Sequence, residues 1–309
     1  MTKSDYINNT DLLKSLPVFY QPWYLDIFGV EWDLVWGATP GSRWVFPYFK
    51  ERRFIFSLSR PQALNPYYGP FPVEAVGASW QPAVGDLAGL SPLLRKNAET
   101  VLAPYPGFEF GALKALGFSA KPRVTYLLDL TVPEVQLSNN IEKKHRRAIL
   151  KGEEELTLKE GIFDLEKLVL WMNHAYEKRG TKYRLPTEFV RKYVRAVLDN
   201  KAGIALTAVD SRGEARSMIL VLLDPGTENA YYIIAANSFT EPHNAANTYL
   251  IWQGILMARQ QGYKRFDFEG SSIPGIARFF AKFGGTPVRF AHWQYTHSWL
   301  WKVKQKLLG

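Results

Sequence analysis

The chain contains no cysteine among its 309 residues. Disulfides, thiolate nucleophiles and thiolate metal ligands are therefore excluded. Histidine is sparse. His145, His174, His243, His292 and His297 are the full set, and their spacing fits no metal motif, so no metal is expected. Long apolar runs are missing as well. The longest purely aliphatic stretch, residues 218–223, falls far short of the roughly 20 residues that a bilayer-spanning helix needs. The opening MTKSDYINNTDLLKSL lacks the apolar core of a secretion signal, which makes a cytoplasmic location the expectation. Acidic residues are in the minority, 29 against 38 Lys and Arg, for a net charge of +9. That balance favours an anionic partner such as a phosphate-rich cofactor, RNA or a membrane surface, without choosing among them. With 47% hydrophobic and 22% charged residues, the chain has an ordinary globular balance and length for one large or two medium domains.

What is present is organised around residues 231–285. Residues 231–236 are β-branched and aromatic, which suits a strand. Residues 237–244 have no periodicity and carry Pro242, so they read as a loop. Over residues 245–261, Ala246, Leu250, Gly254 and Met257 recur at helical spacing, and Gly262 stands where a glycine cap belongs. Residues 264–268 read as a second strand, and Pro274 opens a further helix. A loop running into a helix N-terminus presents unpaired N–H groups and a positive dipole end, a setting that suits an anion. The second strand ends in Asp267-Phe268-Glu269-Gly270-Ser271, which brings carboxylates to the same opening.

Upstream, residues 32–36 and 43–48 read as strands joined by a turn at residues 38–41. Residues 50–53 read as a charged connector and 54–58 as a strand. The Asn65-Pro66-Tyr67-Tyr68-Gly69-Pro70 loop is stiff enough to wall a cleft, or else packs on its own rings. Residues 93–100 and 109–116 read as helices, and Lys121-Pro122 as a domain seam. A strand at 123–130 precedes one long helix over 133–155, on which Lys143, Arg147 and Lys151 share a face. That stripe is either solvated or docks phosphate. Two helices follow, one built on Ile162, Leu165, Val169 and Met172, the other on Phe189, Tyr193 and Val197. Strands come next at 204–210, 215–224 and 230–236, and later at 287–295. A helix over 298–308 ends the chain.

The order strand, helix, helix, three strands, loop, helix, strand, helix, strand, together with RVTYLLDL, IEKKHRRAILKGEE, NAANTYLIWQGILMARQQGYKRFDFEGS and GIARFFAKFGG, resembles the FemABX-like branch of the GNAT acyltransferase superfamily. PYFKERR and NPYYGPF resemble the first domain of the same proteins. The resemblance implies an α/β fold of two GNAT-like mixed-sheet domains with a cleft between them. These would span residues 1–122 and 123–309, with helix 298–308 packing back on the first. It implies transfer of an acyl group to an amine, either from acyl-CoA or, as in the peptidoglycan branch, from aminoacyl-tRNA to a cell-wall precursor. A non-catalytic relative that binds nucleotide or RNA is the third reading. The acceptor is a small amine or a cell-wall precursor, and peripheral membrane contact is compatible with the charge. Two departures from the family pattern matter: the first weakens the cell-wall reading, and both keep the non-catalytic reading open. Phe279 is followed by Phe280 rather than lysine, the nearest being Lys282, and IARFFAKF holds no tyrosine to serve as general acid. The long coiled-coil insertion of some cell-wall relatives has no counterpart.

Donor contacts are expected from Ala236, Asn237, Asn244 and Asn247, with Lys143, Arg146 and Arg147 on the donor phosphates. Lys50, Tyr67, Tyr68 and Ser271 are the acceptor-side candidates. Amine attack needs a base, an oxyanion donor and a proton path. Glu269 is the first catalytic candidate, Asp267 the second, and Lys282 a candidate for steadying the oxyanion. Asp267 lies deeper in the strand and is expected to be a structural acceptor. The competing role for Glu269 is to cap the next helix.

Overall fold

The structure, a computed structural model, describes residues 1–39, 42–73, 80–104, 111–161, 164–178, 180, 184–269 and 273–308. The side chains of residues 38 and 304–308 lie outside that description. So do the expected turn tip at Pro40-Gly41, residues 109–110, Ile162, and Gly270, Ser271 and Ser272. The chain forms two compact units, Met1–Val124 with Val288–Gly309, and Thr125–Pro287.

In chain order the first unit holds α1 (Lys3–Asn8), α2 (Thr10–Ser15), α3 (Pro22–Asp26), β1 (Trp32–Thr39), β2 (Ser42–Phe49), β3 (Glu51–Arg53), β4 (Phe56–Ser59), β5 (Phe71–Pro72), β6 (Asn97–Val101) and α4 (Gly111–Ala115). The strand β7 (Ser119–Asp129) leads into α5 (Glu134–Asn140), α6 (Lys143–Glu155), β8 (Thr157–Glu160), α7 (Leu165–Lys178), α8 (Thr187–Asp199), β9 (Gly203–Val209), β10 (Ala215–Asp224), β11 (Asn229–Asn237), α9 (Ala246–Gln260), β12 (Arg265–Asp267) and α10 (Pro274–Ala281). Finally β13 (Thr286–Tyr295) and α11 (Trp299–Leu308) return the chain to the first unit.

Within the first unit, β1, β2 and β5 form one small sheet, and β3, β4, β6 and β13 lie in order in another. Its core is aromatic, with Tyr6, Tyr24, Trp44, Phe46 and Phe49 fully buried. Residues 97–100, expected as the end of a helix, belong to β6 instead. The helical propensity of that stretch yields to ladders on both sides, parallel with β4 and antiparallel with β13. The charged connector likewise supplies β3, paired with β4.

The second unit orders its strands β7-β12-β11-β10-β9-β8, with only β12 and β11 parallel. The middle strand β10 is buried along almost its whole length. Helices on both faces explain a run of apolar residues in place of alternation. A Cβ at Gly254 of α9 would touch Val221 and Ile219, whereas Gly203 faces Val197 of α8 and Leu220. Thus α9 and α8 cover opposite faces. The expected glycine cap is present: Gly262 has φ +87° and its N–H bonds Arg259, while Tyr263 N–H bonds Ala258. The single helix expected over 133–155 is two. Ile141 and Glu142 are extended between α5 and α6, so that Ile141 is buried and the Glu142 N–H donates to the Lys282 carbonyl at 2.8 Å.

Candidate active site

The strands β11 and β12 run side by side only briefly. Asn229, Ala230 and Tyr231 pair with Arg265, Phe266 and Asp267, and there β12 stops. Residues 232–237 of β11 continue with β10 as their only partner strand among the described residues. A bulge falls in this stretch, because Leu220 opposes Ile234 and Val221 opposes Tyr232, leaving Ile233 over. A bulge bends its strand and increases local twist, so β11 is turned away at the point where β12 ends. On that side β11 has no partner strand past Tyr231 among the described residues.

Beyond β11, a loop leads to α9. The loop is held at several points. Arg216 is buried, and its guanidinium bonds the Asp210 carboxylate at 2.5 Å, the Glu241 carboxylate at 2.5 Å and the Glu241 carbonyl at 3.2 Å. Arg212 adds a second cation to the same two acids. These arginines hold the Asp210 carboxyl below the usual carboxylate range. The Phe239 ring stacks on His174 of α7 with centroids 3.9 Å apart. His243 meets Glu155, the last residue of α6, at 2.9 Å. The 15-residue helix α9 starts with no side-chain cap and no acid in its first turn, so no acid on the helix offsets the positive end of its dipole, and the Ala246 N–H bonds the His243 carbonyl at 3.3 Å.

The carboxylates sit where β12 ends. Asp267 is buried and accepts from Thr125 Oγ1 at 2.5 Å and from the Glu269 N–H at 2.8 Å. It is the structural acceptor that its depth suggested. Phe268 turns into the core against Phe280 and Phe283. Glu269 has φ +56°, a left-handed conformation that a residue with a Cβ adopts at a cost of roughly 1–2 kcal/mol. Its Oε1 is sealed from solvent with no hydrogen-bond partner among the described residues. Burial, and secondarily the charge of Asp267, push this carboxyl well above the ordinary glutamate range. A carboxyl oxygen sealed from solvent without a partner among the described residues, on a group whose pKa is raised, suits a proton acceptor for an incoming amine.

The other sequence candidates are distributed as follows. Ala236 is buried at the end of β11, and Asn237 is exposed there, its Oδ1 accepting from Ser217 at 2.7 Å. Asn244 is exposed in the loop before α9, whereas Asn247 is used internally, accepting from the Tyr232 hydroxyl at 3.0 Å. Lys143, Arg146 and Arg147 are exposed on the first turns of α6, and Arg146 donates to the Asn139 carbonyl. Since Glu155, at the opposite end of that helix, is what meets His243, the stripe stands about 12–18 Å along the axis from the loop before α9. The structure therefore does not bring the stripe to the helix N-terminus that was expected to share its phosphates. Lys282 is the C-cap residue of α10 and pairs with Glu142 at 2.9 Å rather than with the carboxylates.

In the first unit, Lys50 is held by Glu31 at 2.5 Å and Asp33 at 3.4 Å. Tyr67 and Tyr68, expected to wall a cleft, are core residues instead. Tyr67 lies edge-on to Phe19 and Phe290, and Tyr68 stacks on Phe49, with its hydroxyl bonded to the Phe49 N–H and to Ser59. Burial raises the Tyr68 phenol far above its ordinary value. The stiff loop buries its rings because each has aromatic partners waiting.

Sequence reasoning missed Thr125, the Arg216 clamp and His145. His145 is buried, bonds the Phe279 carbonyl at 3.1 Å and packs its ring on Phe279 and Phe283, joining α6 to α10. A histidine on the inner face of a helix was the available signal. Among the described residues no cluster of His, Asp or Glu could hold a metal ion.

Residues 136–279 match the family model described as acetyltransferase (GNAT) domain, a span a little under half the chain that contains β11, α9 and Glu269. No curated protein matches the chain by sequence. Among solved structures, FemX is similar at TM-score 0.66 and 12% identity, over 96% of each chain. The C-terminal domain (DUF2156) of a putative lysylphosphatidylglycerol synthetase from Agrobacterium fabrum is similar at TM-score 0.58 and 11% identity, over 96% of this chain and 93% of that one. A tandem GNAT protein from the clavulanic acid biosynthesis pathway is similar at TM-score 0.52 and 14% identity, over 87% and 84%. The chain therefore has the two-domain mixed α/β fold seen in FemX and in the tandem GNAT protein, and its residues 136–279 match the GNAT acetyltransferase domain.

Proposed function

We propose that the protein transfers an acyl group from acyl-CoA to an amine, with Glu269 as the general base. The observation that carries this reading is Glu269 at the point where β12 leaves β11, with its Oε1 sealed from solvent and without a hydrogen-bond partner among the described residues. The side of β11 at residues 233–237, with no partner strand among the described residues, suits an extended, amide-bearing arm such as pantetheine, which adds to a strand edge as a peptide does. The first turn of α9 suits the pyrophosphate that follows. In the reaction the amine gives a proton to Glu269, its nitrogen bonds the acyl carbon, and the carbon–sulfur bond breaks. Coenzyme A leaves as the thiolate and recovers a proton. N–H groups near residues 235–237 stabilise the oxyanion of the intermediate. General-base help of this kind supplies ~10²–10⁴-fold in rate.

The second reading is an aminoacyl-tRNA donor and a cell-wall precursor acceptor. It is favoured by the similarity to FemX over nearly the whole chain. A binding panel separates the two. Acetyl-CoA and CoA should raise the melting temperature and charged tRNA should not. Glu269→Gln should keep CoA binding while turnover falls by ~10²-fold or more. Stabilisation by charged tRNA alone would overturn the CoA assignment. Full turnover in the variant would overturn the role of Glu269.

A further inference from the structure

The first unit exposes an apolar surface bordered by cations, separate from the carboxylates and strand edge described above. The tip between β3 and β4 is the pair Phe54-Ile55, and these side chains are 76% and 74% exposed. Phe54 has φ +56°. A two-residue hairpin turn asks for that conformation, and Asn or Gly ordinarily supplies it, so a bulky aromatic here is strained and solvated at once. Next to the tip, Phe56 packs on Trp301 of α11 with ring centroids 5.0 Å apart. On α11, Trp299 is 71% exposed, and Leu300 and Val303 are exposed as well. Their spacing of three and four places Leu300 and Val303, and Trp299 and Val303, on one face. Arg52 and Arg53 precede the tip on alternate faces of the hairpin, and Lys302 follows Trp301 in α11; all three are exposed, with no ion pair among the described residues.

We propose that this surface docks the protein on an anionic lipid bilayer. Tryptophan and phenylalanine settle at the headgroup boundary, isoleucine, leucine and valine enter the acyl region, and arginine and lysine meet anionic headgroups. A protein partner would match the apolar part, but it would leave the three unpaired cations beside it unexplained. The anionic headgroup plane answers both features, and the net charge of +9 adds long-range attraction.

Co-sedimentation of the full-length protein with phosphatidylcholine vesicles, with and without phosphatidylglycerol, tests the proposal. Binding is expected only when the anionic lipid is present, and it should weaken with salt. Arg52→Gln with Arg53→Gln should lower partitioning by about five-fold per cation, following the per-residue attraction of basic groups to such surfaces. Phe54→Ser with Ile55→Ser should lower it by ~10-fold or more, from lost apolar insertion. All four positions are exposed, so the variants should melt like the parent, and Trp299→Ser provides an independent variant on the other element. Protein left in the supernatant with anionic vesicles, or variants that sediment like the parent, would overturn the proposal. A dimer in light scattering that Phe54→Ser with Ile55→Ser dissociates would overturn it too, assigning the face to a second copy of the chain.

Discussion

Replacing Glu269 by glutamine should make the protein more stable and less active, and the gain should depend on pH in a defined way. Burial, then the neighbouring Asp267, raise the Glu269 carboxyl above the ordinary glutamate range. Below about pH 4.5 the carboxyl is protonated in both the folded and unfolded states and contributes no pH dependence. As pH rises above that, the unfolded chain releases the proton while the folded chain retains it. Stability then falls by ~1.4 kcal/mol per pH unit until the folded-state pKa is passed. Glutamine does not titrate, so the difference between variant and parent isolates this one group. The melting-temperature advantage of Glu269→Gln should therefore be smallest in acid, grow through the window above pH 4.5, and level off at higher pH. A change of 1 kcal/mol moves the melting temperature by about 2–4 °C for a unit of this size. The pH at which the difference levels off should coincide with the acidic limb of the kcat/KM profile, since both report the same proton. A pH-independent difference, or a variant less stable than the parent, would show that the carboxyl is hydrogen-bonded and ionised in the fold, and the reasoning would fail.

Three further outcomes are expected. His145 is buried, and its pKa is lowered chiefly by that burial, so the stability it contributes is present above about pH 6.5 and is lost as pH falls through its depressed folded value. His145→Gln should flatten the acid side of a melting-temperature profile. In α6 a Cβ at Gly152 would stand 2.5 Å from Tyr249 Cβ, so Gly152→Ala should destabilise by ~1–3 kcal/mol in a denaturant titration despite the better helix propensity of alanine. Removing the Arg216 side chain leaves Asp210 and Glu241 without their shared cation, so Arg216→Ala should loosen the loop before α9 and raise the CoA dissociation constant in calorimetry. Arg216→Lys should recover only part of the affinity, because an ammonium cannot bond both acids in the planar geometry of a guanidinium.

Periodicity located α9, its glycine cap and the strands on either side, because those elements bury one continuous stripe or run and their ends carry distinct residues. Asp267 and Glu269 were legible as strand-end carboxylates, and the bonds that Asp267 accepts from Thr125 and Glu269 fit its deeper place in the strand. Local patterns were silent where distant partners decide the outcome. Residues 97–101 became a strand because β4 and β13 flank them. The break at Ile141 depends on Lys282, far along the chain. Tyr67 and Tyr68 left a cleft wall and a self-packed loop open, because an aromatic loop looks alike whether its rings line a cleft or meet Phe19 and Phe49. The lysine and arginine stripe on α6 was real, but a helix face says nothing of which end approaches α9, and the His243–Glu155 contact supplies that.

Hydrogen–deuterium exchange of the full chain, with and without CoA, tests the central claim most directly. If an acyl-CoA donor pairs with the side of β11 at residues 233–237 and with the first turn of α9, amides in residues 233–237 and 246–248 should gain protection on adding CoA, while those of β8 and α8 should not change. Unchanged exchange at β11 in the presence of saturating CoA would contradict the account.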